Sequence, residues 1–160
     1  MRPPTYRQRL RREGTVLAIS GALAAVLVVL VAEGATDHLV STVVQVATLA
    51  ALLGTLGVWS VRRSLLRAVA VEPGNEGSGE PTPLWLLPVI VAGLTLPFGL
   101  LVGWDAGLRV GAGCVVVGLA QAILFERLVA AEEARRGVSF VRIAGSSLFT
   151  GTNLGAVAAS

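Results

Sequence analysis

The chain has 160 residues, of which 54% are hydrophobic and 14% charged, and its mean hydropathy is +0.75. Soluble proteins carry about 25% charged residues, and a small domain keeps a large share of its residues at the surface. These proportions exclude an ordinary soluble fold. The net charge of +3 is the excess of 13 arginines over 10 acidic residues. The positions of the arginines follow membrane orientation, so the charge does not indicate nucleic acid as a partner.

Four long uncharged runs divide the sequence, at residues 14–32, 39–61, 81–104 and 110–125. About 20 apolar residues are needed to cross a hydrocarbon core of roughly 30 Å. The first three runs meet this length. The fourth is shorter, but Arg109 and Arg127 at its ends can extend their stems through the apolar layer to the interface. The runs predict transmembrane helices at about 14–33, 38–62, 82–104 and 106–136.

The tryptophans and arginines predict how these helices lie in the membrane. Trp59, Trp85 and Trp104 each fall where a predicted helix meets an interface, which is the position that indole prefers. Twelve arginines lie before the first uncharged run, between the second and third runs, or after the fourth run. Only Arg109 lies on the other side. This positive-inside bias predicts that both termini are cytoplasmic.

The short external turns predict two antiparallel hairpins, so the expected fold is an all-α membrane domain over residues 14–136. Residues 63–81 form a cytoplasmic linker between the hairpins. The first helix is interpreted as an anchor, not a cleaved signal, because three more spans follow it. The protein is thus expected to be a multi-pass protein of the cell membrane, with the lipid bilayer as its first partner.

The two terminal segments have weaker patterns. In the basic segment 1–13, Thr5 and Gln8 have the spacing of a capping box. A basic helix there could bind anionic headgroups, but the arginines are also needed as an orientation signal, and we favour that interpretation. The tail 137–160 has no clear periodicity, and an antiparallel hairpin turning at Ala144-Gly145 is one interpretation of it.

Small residues recur at helical spacing in every predicted span. Without a hydrophobic drive between helices in lipid, association depends on close backbone approach, which small side chains permit. We therefore predict a compact bundle in which the main packing positions are Gly21, Gly54, Gly99, Gly111 and Gly118.

Polar side chains form a second pattern in the membrane. Ser41, Gln45, Thr48 and Thr55 share one face of the second helix, and Gln121 lies in the fourth. Such residues can line a narrow pathway or form interhelical hydrogen bonds worth about 0.6 kcal/mol each on average. We favour hydrogen bonds because pathways usually carry charge as well.

The sequence contains no recognisable set of catalytic or metal-binding residues. His38 and Cys114 are the only histidine and cysteine, so one chain cannot form a Cys–His pair within a span or a zinc site. No cofactor motif is present. We therefore expect a protein that is not an enzyme, namely an accessory, scaffold or complex subunit that contacts other membrane proteins or itself. The alternative is a small oligomeric transporter or channel, and a membrane enzyme is the third class.

Overall fold

The computed structural model describes residues 5–32, 38–71, 83–142 and 154–158. It is predominantly helical, with a small β-sheet. The elements in chain order are α1 (Tyr6–Val31), α2 (Leu39–Leu66), β1 (Val69–Ala70), α3 (Leu86–Leu101), α4 (Trp104–Leu119), a π-helical segment (Ala120–Phe125), α5 (Glu126–Arg136), β2 (Val138–Arg142) and β3 (Leu154–Ala158).

Three helices are long and apolar enough to cross a membrane: Tyr6–Val31, Leu39–Leu66 and the continuous helix Trp104–Arg136, which joins α4, the π-helical segment and α5. α3 is apolar but has only 16 residues. At about 1.5 Å per residue it is roughly 24 Å long, which is less than a hydrocarbon core of roughly 30 Å.

α1 begins well before the predicted start at residue 14, because the capping box forms. The Gln8 amide donates to Thr5 Oγ1 at 3.3 Å, and the Thr5 amide donates to Gln8 Oε1 at 3.4 Å. This cap satisfies amide groups that otherwise lack a partner at a helix start. The arginine-rich segment and the apolar run therefore form one helix of 26 residues.

α3 and α4 are separated by a break at residues 102–103, slightly before the boundary predicted between residues 104 and 106. α3 ends at Leu101, and Gly103 has a φ of +130°, a conformation that L side chains rarely adopt. The Gly103 carbonyl accepts from the Ala106 amide at 2.9 Å, which starts α4. In the first turn of α4, Asp105 Oδ2 forms an ion pair with Arg109 Nη2 at 2.6 Å.

α4 lies at the centre of the bundle, because α1, α2 and α3 all contact it. α3 and α4 pack as the predicted hairpin. α1 runs antiparallel to α2, but among the described residues these two helices make almost no contact. The prediction that α1 and α2 pack as a hairpin is therefore wrong. A short connection fixes their direction, whereas the fit of small residues on α1 and α4 determines which helices pack.

The chain also forms a three-stranded sheet, which an all-α prediction did not include. The strand order is β1-β3-β2, with β1 parallel and β2 antiparallel to β3. Arg142 pairs with Leu154, so the connection spans residues 143–153. The antiparallel arrangement fits the hairpin interpretation, but this register does not fit a turn at Ala144-Gly145, two residues that lie outside the described ranges. β1 falls within the predicted linker 63–81, whose residues 72–81 are also outside those ranges.

The sheet covers one end of the bundle, where most of the described arginines lie. We call this end the arginine-rich end, marked by Arg9, Arg12, Arg62 and Arg136. Its core contains the start of α1, the end of α2, the π-helical segment, α5 and both tail strands. The buried residues are Leu10, Val61, Leu65, Phe125, Val129, Phe140 and Leu154.

One polar contact attaches the tail to α5 at this end, and a second joins α5 to α2. Glu133 Oε1 accepts from the Phe140 amide at 2.9 Å. Arg136 Nη1 donates to the Leu65 carbonyl at 3.3 Å. Because α5 turns into β2 at Gly137, with a left-handed φ of 64°, the strand folds back over the helix ends and places Phe140 in the core.

Phe140→Ala should destabilise the fold. The Phe140 side chain is fully buried, and removing a buried phenyl group costs about 3–5 kcal/mol because it leaves a cavity. The matched control is Phe98→Ala on α3, where the ring is 46% exposed. Thermal unfolding in detergent should show a much lower midpoint for Phe140→Ala than for the control. Equal midpoints would contradict the packing of the tail against the bundle.

Candidate functional site on the second helix and its packing partners

The backbones of α1 and α4 approach each other directly. If Gly21 carried a Cβ, that atom would lie 2.6 Å from the Gly111 carbonyl oxygen, and a Cβ on Gly118 would lie 2.5 Å from the Ala18 amide nitrogen. Neither position can hold a side chain without moving the backbone. The α1 face has the alternating four- and three-residue spacing of a heptad seam, at Gly14, Ala18, Gly21, Ala25, Val28 and Ala32.

The predicted packing glycines are not equivalent in the structure. Gly21, Gly111 and Gly118 lie at the α1–α4 contact. Gly99 makes room for the Trp104 ring, because a Cβ there would lie 2.7 Å from Trp104 Cε3. A Cβ on Gly54 would meet no atom within 4 Å, so the structure does not bring Gly54 against another helix.

Two glycine contacts were not predicted from the sequence. Gly14 packs against Gly118 and Ala122, and it lies seven residues before Gly21, so extending the heptad would have identified it. Gly57 on α2 lies under the ring of Phe125. No spacing in the sequence links these two residues, since the π-helical segment changes the direction in which Phe125 points.

Four of the five predicted polar residues lie together, but they face away from the bundle. Ser41, Gln45, Thr48 and Thr55 are all exposed on α2. Thr48 and Thr55 donate to carbonyls of their own helix, at 2.8 Å to Val44 and 2.7 Å to Ala51. Within the described part of the chain, the Gln45 amide makes no hydrogen bond.

Gln121 is separate from this group. It lies in the π-helical segment and is half-buried, with its Cβ near Gly14 of α1. The five polar residues therefore do not line one interior path through a single chain. The four on α2 form an outward polar face, and Gln121 belongs to the α1–α4 contact.

α2 is the least buried of the three long apolar helices. In its most apolar 18-residue window, 6% of the residues are buried, compared with 28% for Tyr6–Val31 and 22% for Trp104–Arg136. Because α2 makes almost no contact with α1, a groove of about 320 Å³ lies between them, with α4 as its floor. Leu17, Leu49 and Val117 line it, and so does Arg109, whose Nε is buried and unpaired.

The described residues include one histidine, His38, and one cysteine, Cys114. No group of three or more His, Cys, Asp or Glu side chains that could hold a metal ion lies among them. Cys114 is half-buried on α4, and its Cβ would lie 2.8 Å from a Cβ on Gly21. This position makes Cys114 part of the close α1–α4 contact, where a small side chain is required.

Comparisons with protein-family models, curated proteins and solved structures find no match for this chain.

The α1–α4 contact predicts different effects for two Gly→Ala changes on one helix. Gly118→Ala should destabilise the fold by about 1–3 kcal/mol, the usual cost of overpacking. Gly113→Ala should be neutral or stabilising, because a Cβ there meets no atom within 4 Å and alanine favours the helix by about 1 kcal/mol. Thermal unfolding of both variants in detergent checks this. Equal midpoints for the two variants would contradict the contact.

Proposed function

We propose that this chain is a four-span protein of the cell membrane, with both termini cytoplasmic, and that it serves as a non-catalytic accessory or scaffold subunit. In this proposal it binds membrane-embedded polypeptide through the outward polar face of α2. That face is the observation that carries the proposal.

The sheet supports four crossings. β1 follows α2, β3 belongs to the tail after α5, and the two strands pair directly. The end of α2 and the end of α5 are therefore on the same side of the bundle. If the long helix Trp104–Arg136 crosses once, the α3 segment between α2 and α4 must cross once as well. Exposed apolar residues at its ends, Leu84, Trp85 and Val102, can lengthen this short span, and local bilayer thinning can accommodate the rest.

The same geometry, together with the arginines, supports the proposed orientation. The start of α1 and the ends of α2 and α5 share the core at the arginine-rich end. Arginine is enriched in cytoplasmic segments, so we assign this end, with both termini, to the cytoplasm. The opposite end, where Val28, Ala32 and Leu108 pack together, then faces outward.

The exposed polar face supports association. Polar side chains in a membrane span usually face protein or a water-filled cavity, because lipid offers them no partners. Here the four polar residues of α2 are directed away from the other described helices. In an accessory subunit, these side chains have partners, because a second polypeptide covers the face and accepts its hydrogen bonds. In an oligomeric channel, these side chains have polar surroundings only if the faces of several copies enclose a path.

Labelling of single cysteines tests the topology. In a Cys114→Ala background, Val102→Cys should react in intact cells with a membrane-impermeant thiol reagent. Ala134→Cys, on an exposed position of α5, should react only after the membrane is opened. The reverse result would contradict the assigned orientation, and external labelling of both would contradict the number of crossings.

Purification from native membranes in mild detergent tests the function. The tagged wild-type chain should elute in a stoichiometric assembly with membrane-embedded polypeptide, either itself or another chain. The double variant Gln45→Leu/Thr48→Val should lose this assembly while its thermal stability changes little. Thr15→Val is the control, because this α1 hydroxyl is also exposed and bonded to its own helix, at 2.7 Å to the Arg11 carbonyl.

Two outcomes would contradict the proposal. If the chain is purified from native membranes as a monomer, with no other polypeptide bound at any concentration, it has no subunit role. A saturable solute flux in liposomes that Gln45→Leu abolishes without changing stability would instead indicate the transporter or channel alternative.

A further inference from the structure

The outward face of α2 has the spacing of a helix-pairing seam. Ser41, Gln45, Thr48, Leu52, Thr55 and Trp59 alternate four and three residues apart, as the contact positions of a heptad do, and all six are exposed. We call these six residues the outward seam.

The outward seam points away from the rest of the described structure. The side of α2 that packs contains Thr42 and Val61, which are buried, and Gly57, which lies under Phe125, together with groove-lining Val46, Ala50 and Leu53. At about 100° per residue, the centres of these two sides are about 150° apart. No described element of the chain can therefore reach the outward seam.

The Gln45 amide is the polar group on this seam that most needs a partner. It lies five residues from the midpoint of the uncharged run 39–61, which is about 7.5 Å along the helix axis, so it lies inside the hydrocarbon. The side-chain carbonyl can accept two hydrogen bonds, and the NH₂ group can donate two. Unlike the threonine hydroxyls, this amide is not paired with its own helix in the described structure.

We propose that the outward seam pairs with the same seam of a second copy of this chain. The inference rests on the proposed association through α2 and names its partner. The arginine bias of 12 to 1 inserts every copy in the same direction, so a two-fold axis must run along the membrane normal. Such an axis brings each residue opposite itself at the same depth.

This symmetry suits the chemistry of the seam. Gln45 meets the Gln45 of the second copy, and each amide donates to the carbonyl of the other, so the pair forms two reciprocal hydrogen bonds. A heptad seam holds two helices at a crossing angle of about 20°, the commonest geometry in membrane bundles. Trp59, whose ring lies under Arg63 with 5.0 Å from centroid to Cζ, completes the seam near the cytoplasmic interface.

Disulfide cross-linking of the purified full-length protein in liposomes tests the pairing. In the Cys114→Ala background, Leu52→Cys should form a covalent dimer on mild oxidation, because position 52 lies on the seam. Val43→Cys is the matched control. Val43 is also exposed, at 58% as for Leu52, but it lies on the other side of α2 and should remain monomeric. Cross-linking should persist when the lipid-to-protein ratio is raised tenfold.

Variants of Gln45 test the role of the amide. Gln45→Leu should weaken dimerisation roughly 5- to 30-fold, which corresponds to about 1–2 kcal/mol for two interhelical hydrogen bonds in lipid. Gln45→Asn keeps an amide and should retain most of the affinity. Energy transfer between labelled copies, titrated against lipid, gives the dimerisation constants. Because Gln45 is exposed and makes no hydrogen bond within the described residues, the thermal midpoint of the monomer should not change.

The outcomes distinguish the symmetric pairing from the proposed subunit function. Equal cross-linking at positions 43 and 52, or equal dimerisation constants for Gln45→Leu and wild type, would overturn the symmetric pairing. A purified chain that stays monomeric in liposomes, while an assembly with a different membrane protein is lost in Gln45→Leu, would overturn the pairing but retain the subunit function. Absence of both assemblies would overturn both proposals.

Discussion

The direct approach of the α1 and α4 backbones is the contact on which the rest of the bundle depends. In lipid, apolar side chains gain little by leaving the solvent for another helix, so association relies on dispersion contacts at short range. Gly14 and Gly21 on α1, with Gly111 and Gly118 on α4, leave no room for a Cβ between the two backbones. This contact fixes the height of the two helices relative to each other, because a shift along the axis would place side chains against glycines.

The other helices are arranged around this pair. α3 lies against α4 through Gly99 and Gly107 and also contacts α1. α2 contacts α4 on another side, and its Gly57 lies under Phe125 of the π-helical segment. β1, which follows α2, pairs with β3 of the sheet. In its most apolar 18-residue window, only 6% of the residues of α2 are buried. The polar face of α2 is therefore exposed in the described structure.

Sequence patterns predicted the apolar runs, the capping box and most of the packing glycines, because these depend on local composition and helical spacing. They did not predict which helices pack together. Gly54 and Gly118 look alike as small residues in apolar runs, yet only Gly118 meets an opposing face of small residues. The break at Gly103 ends α3 before the predicted boundary. The sequence did not predict its position, because a glycine is the only sequence sign of a positive φ and a glycine alone does not predict one.

The sheet could not be predicted for a different reason. β1 has two residues and gains its order only by pairing with β3, which is more than eighty residues away in the sequence. The sequence predicted that α2 has a polar face, but it did not predict the direction in which that face points. An amphipathic pattern in a membrane helix identifies a face that prefers protein, and the packing of the other helices determines whether that protein is the same chain.

Nuclear magnetic resonance of the detergent-solubilised, isotope-labelled protein tests the α1–α4 contact most directly and without substitution. In the structure, the α-protons of Gly118 point at the Ala18 amide, and those of Gly14 point at the Ala122 amide, as the positions of the missing Cβ atoms show. The account predicts nuclear Overhauser cross-peaks for both pairs. Their absence, with cross-peaks instead from Gly14 and Gly118 α-protons to detergent acyl chains, would contradict it.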